Sequence, residues 1–153
     1  MSEADYRDLM NPDLATTYFG QMILRDELLP SLLGPRLDRI MYFSGRDLGI
    51  HFPAKDDEIS KVFTDLGLGD LANSKMKVRE RTYTLDGPVV AERLSKHPDA
   101  DFQFEAGLLA QMVQQALGMS AEAHSEVQSR SQRVNITVAI DPSEEEPLVG
   151  EEN

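Results

Sequence analysis

Between residues 102 and 118 the apolar side chains Leu108, Leu109, Met112, Val113 and Ala116 recur at helical spacing, while Gln111, Gln114 and Gln115 gather on the far side. The spacing predicts an amphipathic helix, stopped by Gly118. Gly107 falls on the glutamine arc, where a glycine costs a helix roughly 1 kcal/mol relative to alanine, so another backbone is expected close to it. Beyond this helix the period drops to two. Ala121, Ala123, Ser125 and Val127 alternate with Glu122, His124, Glu126 and Gln128, and Val134, Ile136, Val138 and Ile140 alternate with Asn135, Thr137 and Ala139. Two strands follow from this, joined by the polar link 129–132.

The N-terminal half reads as helices. Tyr18, Phe19, Met22, Ile23, Leu24, Leu28 and Leu29 scatter round most of a helical circumference, with Thr16 or Thr17 placed to cap the start and Pro30 to kink or end it. A helix this apolar all round implies cover from more than one side, by a subunit interface, a lined cavity or a core. A second helix, 37–52, aligns Leu37, Met41, Ser44, Leu48 and Phe52, with Ile40, Phe43 and Ile50 on another side and Gly45 and Gly49 forming a smooth strip open to close approach. A third begins at Asp56 and Asp57, carries Ile59, Val62, Phe63 and Leu66, and ends at Gly67. The alternation in 71–85 predicts two strands turning near Glu80, and Gly87-Pro88 opens a short helical segment to about Leu94. The fold class is therefore α+β: N-terminal helices packed with a small antiparallel sheet of about four strands, one long helix inserted between the two strand pairs.

Length and charge narrow this picture. The 153 residues suit one domain, 16–140, between a polar N-terminal tail, 1–15, and an acidic tail, 141–153, expected to be disordered. Fifteen basic against 27 acidic residues give a net charge of −12, six of the acids lying in that tail. Such a balance disfavours nucleic acid and anionic membrane surfaces as partners. With no cysteine there is no disulfide, thiolate nucleophile or cysteine-bound metal, which fits a reducing cytoplasm. The first residues lack a basic and apolar leader, and no run is long enough to span a bilayer.

Three stretches carry a resemblance. Arg25-Asp26-Glu27-Leu28-Leu29-Pro30-Ser31-Leu32-Leu33-Gly34, Ile40-Met41-Tyr42-Phe43-Ser44-Gly45-Arg46 and Phe102-Gln103-Phe104-Glu105-Ala106-Gly107-Leu108-Leu109-Ala110 make the chain similar to the YslB family, uncharacterised cytosolic proteins of low-GC Gram-positive bacteria. The phenylalanine–glutamate–alanine–glycine opening also resembles the wider superfamily of 4-vinyl reductase domains and Bet-type subunits of the TRAPP vesicle-tethering complex. That resemblance implies pairing through N-terminal helices and an apolar ligand cavity beside the sheet. Some relatives attach an acyl chain to a cysteine or bind zinc through cysteines, and this chain has none.

Candidate chemistry is sparse. Tyr42-x-Ser44-x-Arg46 satisfies a pattern that haem nitric-oxide sensors of a related fold use to hold haem propionates, but an axial histidine upstream is missing, since His51, His97 and His124 all follow it. The histidines share no metal-ligand spacing, and no nucleophile elbow, phosphate loop or dinucleotide fingerprint occurs. Glu105 sits where a helix dipole favours a carboxylate. Arg25-Asp26, if buried, needs partner groups. The expectation is a cytoplasmic, non-enzymatic homodimer formed through the N-terminal helices, binding a small hydrophobic ligand, a protein partner or both, with no cofactor, metal or catalytic residue assigned. Phe19, Ile23, Arg25, Tyr42, Phe43, Phe104, Glu105 and Leu108 are the candidates for pocket or interface. The alternatives are a haem or gas sensor, or a small enzyme without a recognisable motif.

Overall fold

The computed structural model describes residues 13–52 and 55–145. The first helix, α1, is built from three consecutive stretches, Tyr18–Met22, a π-helical turn Ile23–Leu28, and Leu29–Leu33. Next come α2 (Leu37–Gly49), α3 (Ile59–Asp65), the hairpin of β1 (Asp70–Met76) and β2 (Glu80–Asp86), α4 (Pro88–Lys96), α5 (Gln103–Leu117), β3 (Met119–Gln128) and β4 (Arg133–Glu145). The strands pair antiparallel in the order β1-β2-β4-β3. This is the α+β arrangement expected, with the short α4 as well as the long α5 lying between the strand pairs.

Local signals place most ends. Thr17 caps α1, its hydroxyl accepting from the Gly20 N–H at 3.1 Å. Pro30 does not end that helix. The Leu29 N–H reaches five residues back to the Leu24 carbonyl, and this widened turn makes room for a proline ring that would collide with a carbonyl in regular α-helix. Pro88 occupies the first turn of α4 behind a left-handed Gly87, and Gly118 ends α5 at φ 66°, ψ 28°. The second helix stops at Gly49 rather than at Phe52. The third is entered through a 3-10 turn at Asp56–Glu58, with the Lys55 N–H donating to Glu58 Oε2 at 2.9 Å, so Asp56 and Asp57 lie inside the turn and do not cap it. The strand β4 continues to Glu145, into the stretch expected to be a disordered tail. Pro142 is accommodated where the register against β3 shifts between Met119 and Ser120. The rest of the predicted N-terminal and acidic tails, 1–12 and 146–153, falls outside the described residues.

Packing is in three layers. The apolar stripe of α5 is fully buried from Leu108 to Val113 in one core with the inner faces of β2 and β4, where Leu109, Met112 and Val113 join Leu85, Val134, Ile136 and Val138, and Ala116 is half-buried. On the other side α5 meets α2, and the contact is made by glycines. A Cβ on Gly107 would lie 1.9 Å from the Tyr42 carbonyl oxygen, one on Gly45 2.2 Å from the Phe104 oxygen, and one on Gly49 2.7 Å from Gln111 Cβ. The glutamine arc of α5 is therefore covered rather than solvated. Gln111 is buried and donates to Gln115, which donates in turn to the Gly49 carbonyl at 3.1 Å. Correspondingly, the packed side of α2 is Tyr42, Gly45, Arg46 and Gly49, and Ser44, assigned by periodicity to the apolar stripe, is exposed.

Gly107→Ala should therefore act out of proportion to its size. The colliding atoms are backbone, so the methyl group forces the two helices apart, and urea unfolding should show a loss of about 3 kcal/mol, the upper end of overpacking costs. A change below about 0.5 kcal/mol, the scale of surface substitutions, would contradict this account of the crossing.

Candidate functional site

The first helix reaches the body through charge. Within its π-turn the neighbouring residues Arg25 and Asp26 both turn inward, toward different helices. Arg25 forms a two-pronged contact with Glu105 near the start of α5, at 2.6 and 2.7 Å, and its guanidinium stands 5.8 Å from the Phe104 ring centroid. Asp26 receives three hydrogen bonds from Arg93 of α4, at 2.9 to 3.2 Å. Arg93 also donates to the Asp101 carbonyl at 2.6 Å and lies 4.6 Å from the centroid of Phe102. The two pairs have opposite polarity, cation on α1 in one and anion on α1 in the other.

Both are shielded from water. The Glu105 side chain is 1% exposed, and those of Asp26 and Arg93 are 8 and 9% exposed. Burial pulls the Arg25 pKa down, and the Glu105 carboxylate, helped by Asp26 and Asp101, pushes it above its ordinary value. Tyr18 brings its hydroxyl into the same region, buried and without a hydrogen-bond partner. Its pKa is raised by burial and then by Asp26 and Glu92, which keeps the phenol neutral. Beside these clasps opens a cleft of about 300 Å³, bounded by Arg25, Asp26, Leu37, Met41, Arg93 and His97.

The eight candidate residues fall into separate places. Phe19, Ile23 and Phe43 lie on the outer surface, joined there by Leu24, Leu28, Leu32, Ile40 and Ile50. Exposure reaches 67% at Phe19, 60% at Leu24, 69% at Leu32 and 55% at Phe43. Arg25, Glu105 and the half-buried Phe104 form the first clasp. Leu108 is wholly in the core, and of the eight only Arg25 borders the cleft. Asp26 carried a signal, a charge beside an opposite charge on an oily helix, while nothing in the sequence singled out Arg93 as its partner or Phe102 as the ring beside that guanidinium.

Tyr42 has a different task. Its hydroxyl accepts from the Ala123 N–H of the edge strand β3 at 3.1 Å, and one turn on, Arg46 donates to the Ala121 carbonyl at 2.7 Å and to Gln114 Oε1 at 2.8 Å. Gln114 Oε1 also accepts the Ala121 N–H at 3.2 Å. Outward-facing backbone groups of β3, which an open edge would leave free for another chain, are thus occupied by side chains of this one. The propionate-binding pattern does not fit haem here. Tyr42 and Arg46 are engaged with β3, Ser44 faces solvent, and His51, His97 and His124 lie just past the end of α2, at the end of α4, and on the exposed side of β3.

Comparison with known proteins agrees with this geometry at the level of fold. The family described as proteins of unknown function, DUF2507, matches residues 18–139. The chain is 32% identical over 124 residues to the uncharacterised protein YslB of Bacillus subtilis, covering 80% of this chain and 84% of that one. Among solved structures it resembles a vinyl-4-reductase family protein from Methanocaldococcus jannaschii (TM-score 0.58, 18% identity, 84% of this chain and 82% of that one). It also resembles a trafficking protein particle complex subunit 3 from Naegleria fowleri, covalently bound to palmitic acid (TM-score 0.50, 8% identity, 81% and 95%). An H-NOX protein from K. algicida shares the fold as well (TM-score 0.51, 12% identity, 84% and 75%).

The clasps can be tested by removing one partner. Glu105→Leu leaves the Arg25 guanidinium buried without its carboxylate and should cost about 3–5 kcal/mol in urea unfolding, whereas Arg25→Met combined with Glu105→Leu should recover most of it. Equal losses in the single and double variants would show that the pair itself is not what matters.

Proposed function

The chain belongs to that family of unknown function, and on this premise we propose that it is a non-enzymatic module that pairs with a second copy of itself through α1 and the outer side of α2. The observation that carries the reading is the row Phe19, Leu24, Leu28 and Leu32, repeated every four or five residues along a helix with no fully buried residue, together with Phe43 exposed on α2. Each such side chain gains about 1.5–3 kcal/mol when fully covered. The helix presenting them is not a loose appendage, because two shielded ion pairs hold it to α4 and α5. Its oily side is therefore displayed in a fixed orientation, as a helix-to-helix interface requires.

A small hydrophobic ligand or a protein partner is the second part of the proposal. The cleft beside the clasps offers Leu37, Met41 and Pro30 as apolar wall and charged groups at its rim, a composition suited to an apolar body with a polar end. With no cysteine in the chain, an acyl group there would be held without a thioester. The same absence supports a reducing cytoplasm as its location. No helix among the described residues is long and apolar enough to cross a membrane.

Native mass spectrometry at tens of micromolar should give the mass of two chains, and Leu24→Asp with Leu28→Asp should give the mass of one. Because both leucines are exposed in the isolated subunit, unfolding at high dilution should change by no more than about 0.5 kcal/mol per site. A wild-type chain that stays single at that concentration would sink the pairing.

A further inference from the structure

The two edges of the sheet are treated differently. Side chains of α2 and α5 occupy β3 at Ala121 and Ala123, as described above, whereas β1 is exposed at every residue from Ala72 to Met76, and the exposure continues through the turn to Glu80. Met76 and Val78 are 59 and 81% exposed, in alternation with Lys75, Lys77 and Arg79. These three cations project from a chain whose net charge is −12; Glu80 adjoins Arg79 in sequence and Asp141 stands within electrostatic reach of it, so the positive charge of this edge rests on Lys75 and Lys77. Arg81 is not part of this group, since it is held by Asp56 at 2.6 Å.

Beside this edge, between β1 and the start of α3, runs a groove of about 460 Å³ lined by Ile59, Ser60, Asn73, Met76 and Tyr83, with Lys55, Asp56 and Asp57 at its mouth. Tyr83, on β2, is only 4% exposed, and its buried hydroxyl, against which the Arg81 guanidinium stands, finds no acceptor for its own proton. Burial raises the pKa of the phenol more than the nearby Arg81 lowers it, so the group remains a neutral donor. A buried donor without an acceptor costs a folded chain about 1–3 kcal/mol, a loss that a ligand entering the groove with a carbonyl or carboxylate would reverse.

We propose that the β1 edge and this groove bind an extended acidic segment of another protein, which pairs with β1 as an added strand and places an apolar side chain against Met76 and Ile59. Strand addition supplies affinity through backbone hydrogen bonds, and pockets for alternate side chains supply selectivity. Edge lysines ordinarily keep strands from pairing. Here they repel a second copy of the same lysine-bearing edge and admit a strand carrying carboxylates opposite Lys75 and Lys77, so the feature that blocks self-association also selects the partner. The bulge at Ser74 does not close the edge, because the Ser74 hydroxyl is directed to the Thr82 carbonyl at 3.0 Å on the β2 side.

The probe is a fluorescein-labelled peptide alternating glutamate with valine, measured by anisotropy against the full chain, beside a lysine–valine peptide, a glutamate-only peptide and vesicles of anionic lipid. The glutamate–valine peptide should bind and the lysine–valine peptide should not. Lys75→Glu with Lys77→Glu, both on exposed side chains, should weaken binding at least tenfold, and Tyr83→Phe should weaken it several-fold while the fold is retained. Amides of 72–76 should become protected from hydrogen exchange in the complex. No binding, binding as tight by the glutamate-only peptide, or unchanged exchange along β1 would overturn strand addition. Capture of anionic vesicles through the same lysines without peptide binding would replace it with a membrane contact.

Discussion

The crossing of α2 over α5 is the contact on which the remainder depends. Two helices ordinarily pack 8–10 Å apart because side chains stand between them, and Gly45, Gly49 and Gly107 remove those side chains on both partners at once. Backbone then meets backbone. Only at that distance can Tyr42 and Arg46 reach past α5 to the outermost strand, and only then does Gln115 meet the Gly49 carbonyl. What the glycines add is a third layer, and with it cover for the sheet edge at Ala121 and Ala123.

Much of this was legible in the sequence, and the failures share a cause. Helices and strands followed hydrophobic period, caps followed Thr17, Pro88 and Gly118, and the glycines announced a close approach before its partner was known. Gly107 on the glutamine arc of α5 pointed to a close backbone, but the arc's polarity gave no sign that its amides would be covered. Amide side chains satisfied by one another and by a carbonyl can be buried at little cost, and whether a layer covers them is decided by residues some 60 positions away. The stripe assigned to α2 is half-buried at Leu37, Met41, Leu48 and Phe52 and exposed at Ser44, while the side packed on α5 is largely glycine and carries no hydrophobic signal. Pro30 was read as a kink or an end because regular α-helix has no room for it, and a π-turn is not visible in periodicity.

The candidate residues separate along the same line. Phe19, Ile23 and Phe43 were chosen as oily positions with more circumference than a lone domain can cover, and they are at the surface. Arg25 was singled out as a charge on an oily helix and Glu105 as a carboxylate near a helix N-terminus, and they face each other, 80 residues apart in sequence. The sequence offers no way to pair Asp26 with Arg93, because a contact between distant charges is a property of the assembled helices. The haem pattern shows the reverse error. Three residues matched a motif while the helix turned them to unrelated duties.

The two clasps also fix a mechanical relation. Neighbouring residues on one helix are tied to two different helices, Arg25 to α5 and Asp26 to α4, and those two helices are joined by the short link through Pro98 and Asp101. Any change in the angle between α4 and α5 must either break a shielded ion pair or swing the outer helix with it. A disturbance at that hinge would thus be transmitted to the oily face some distance away without unfolding anything between.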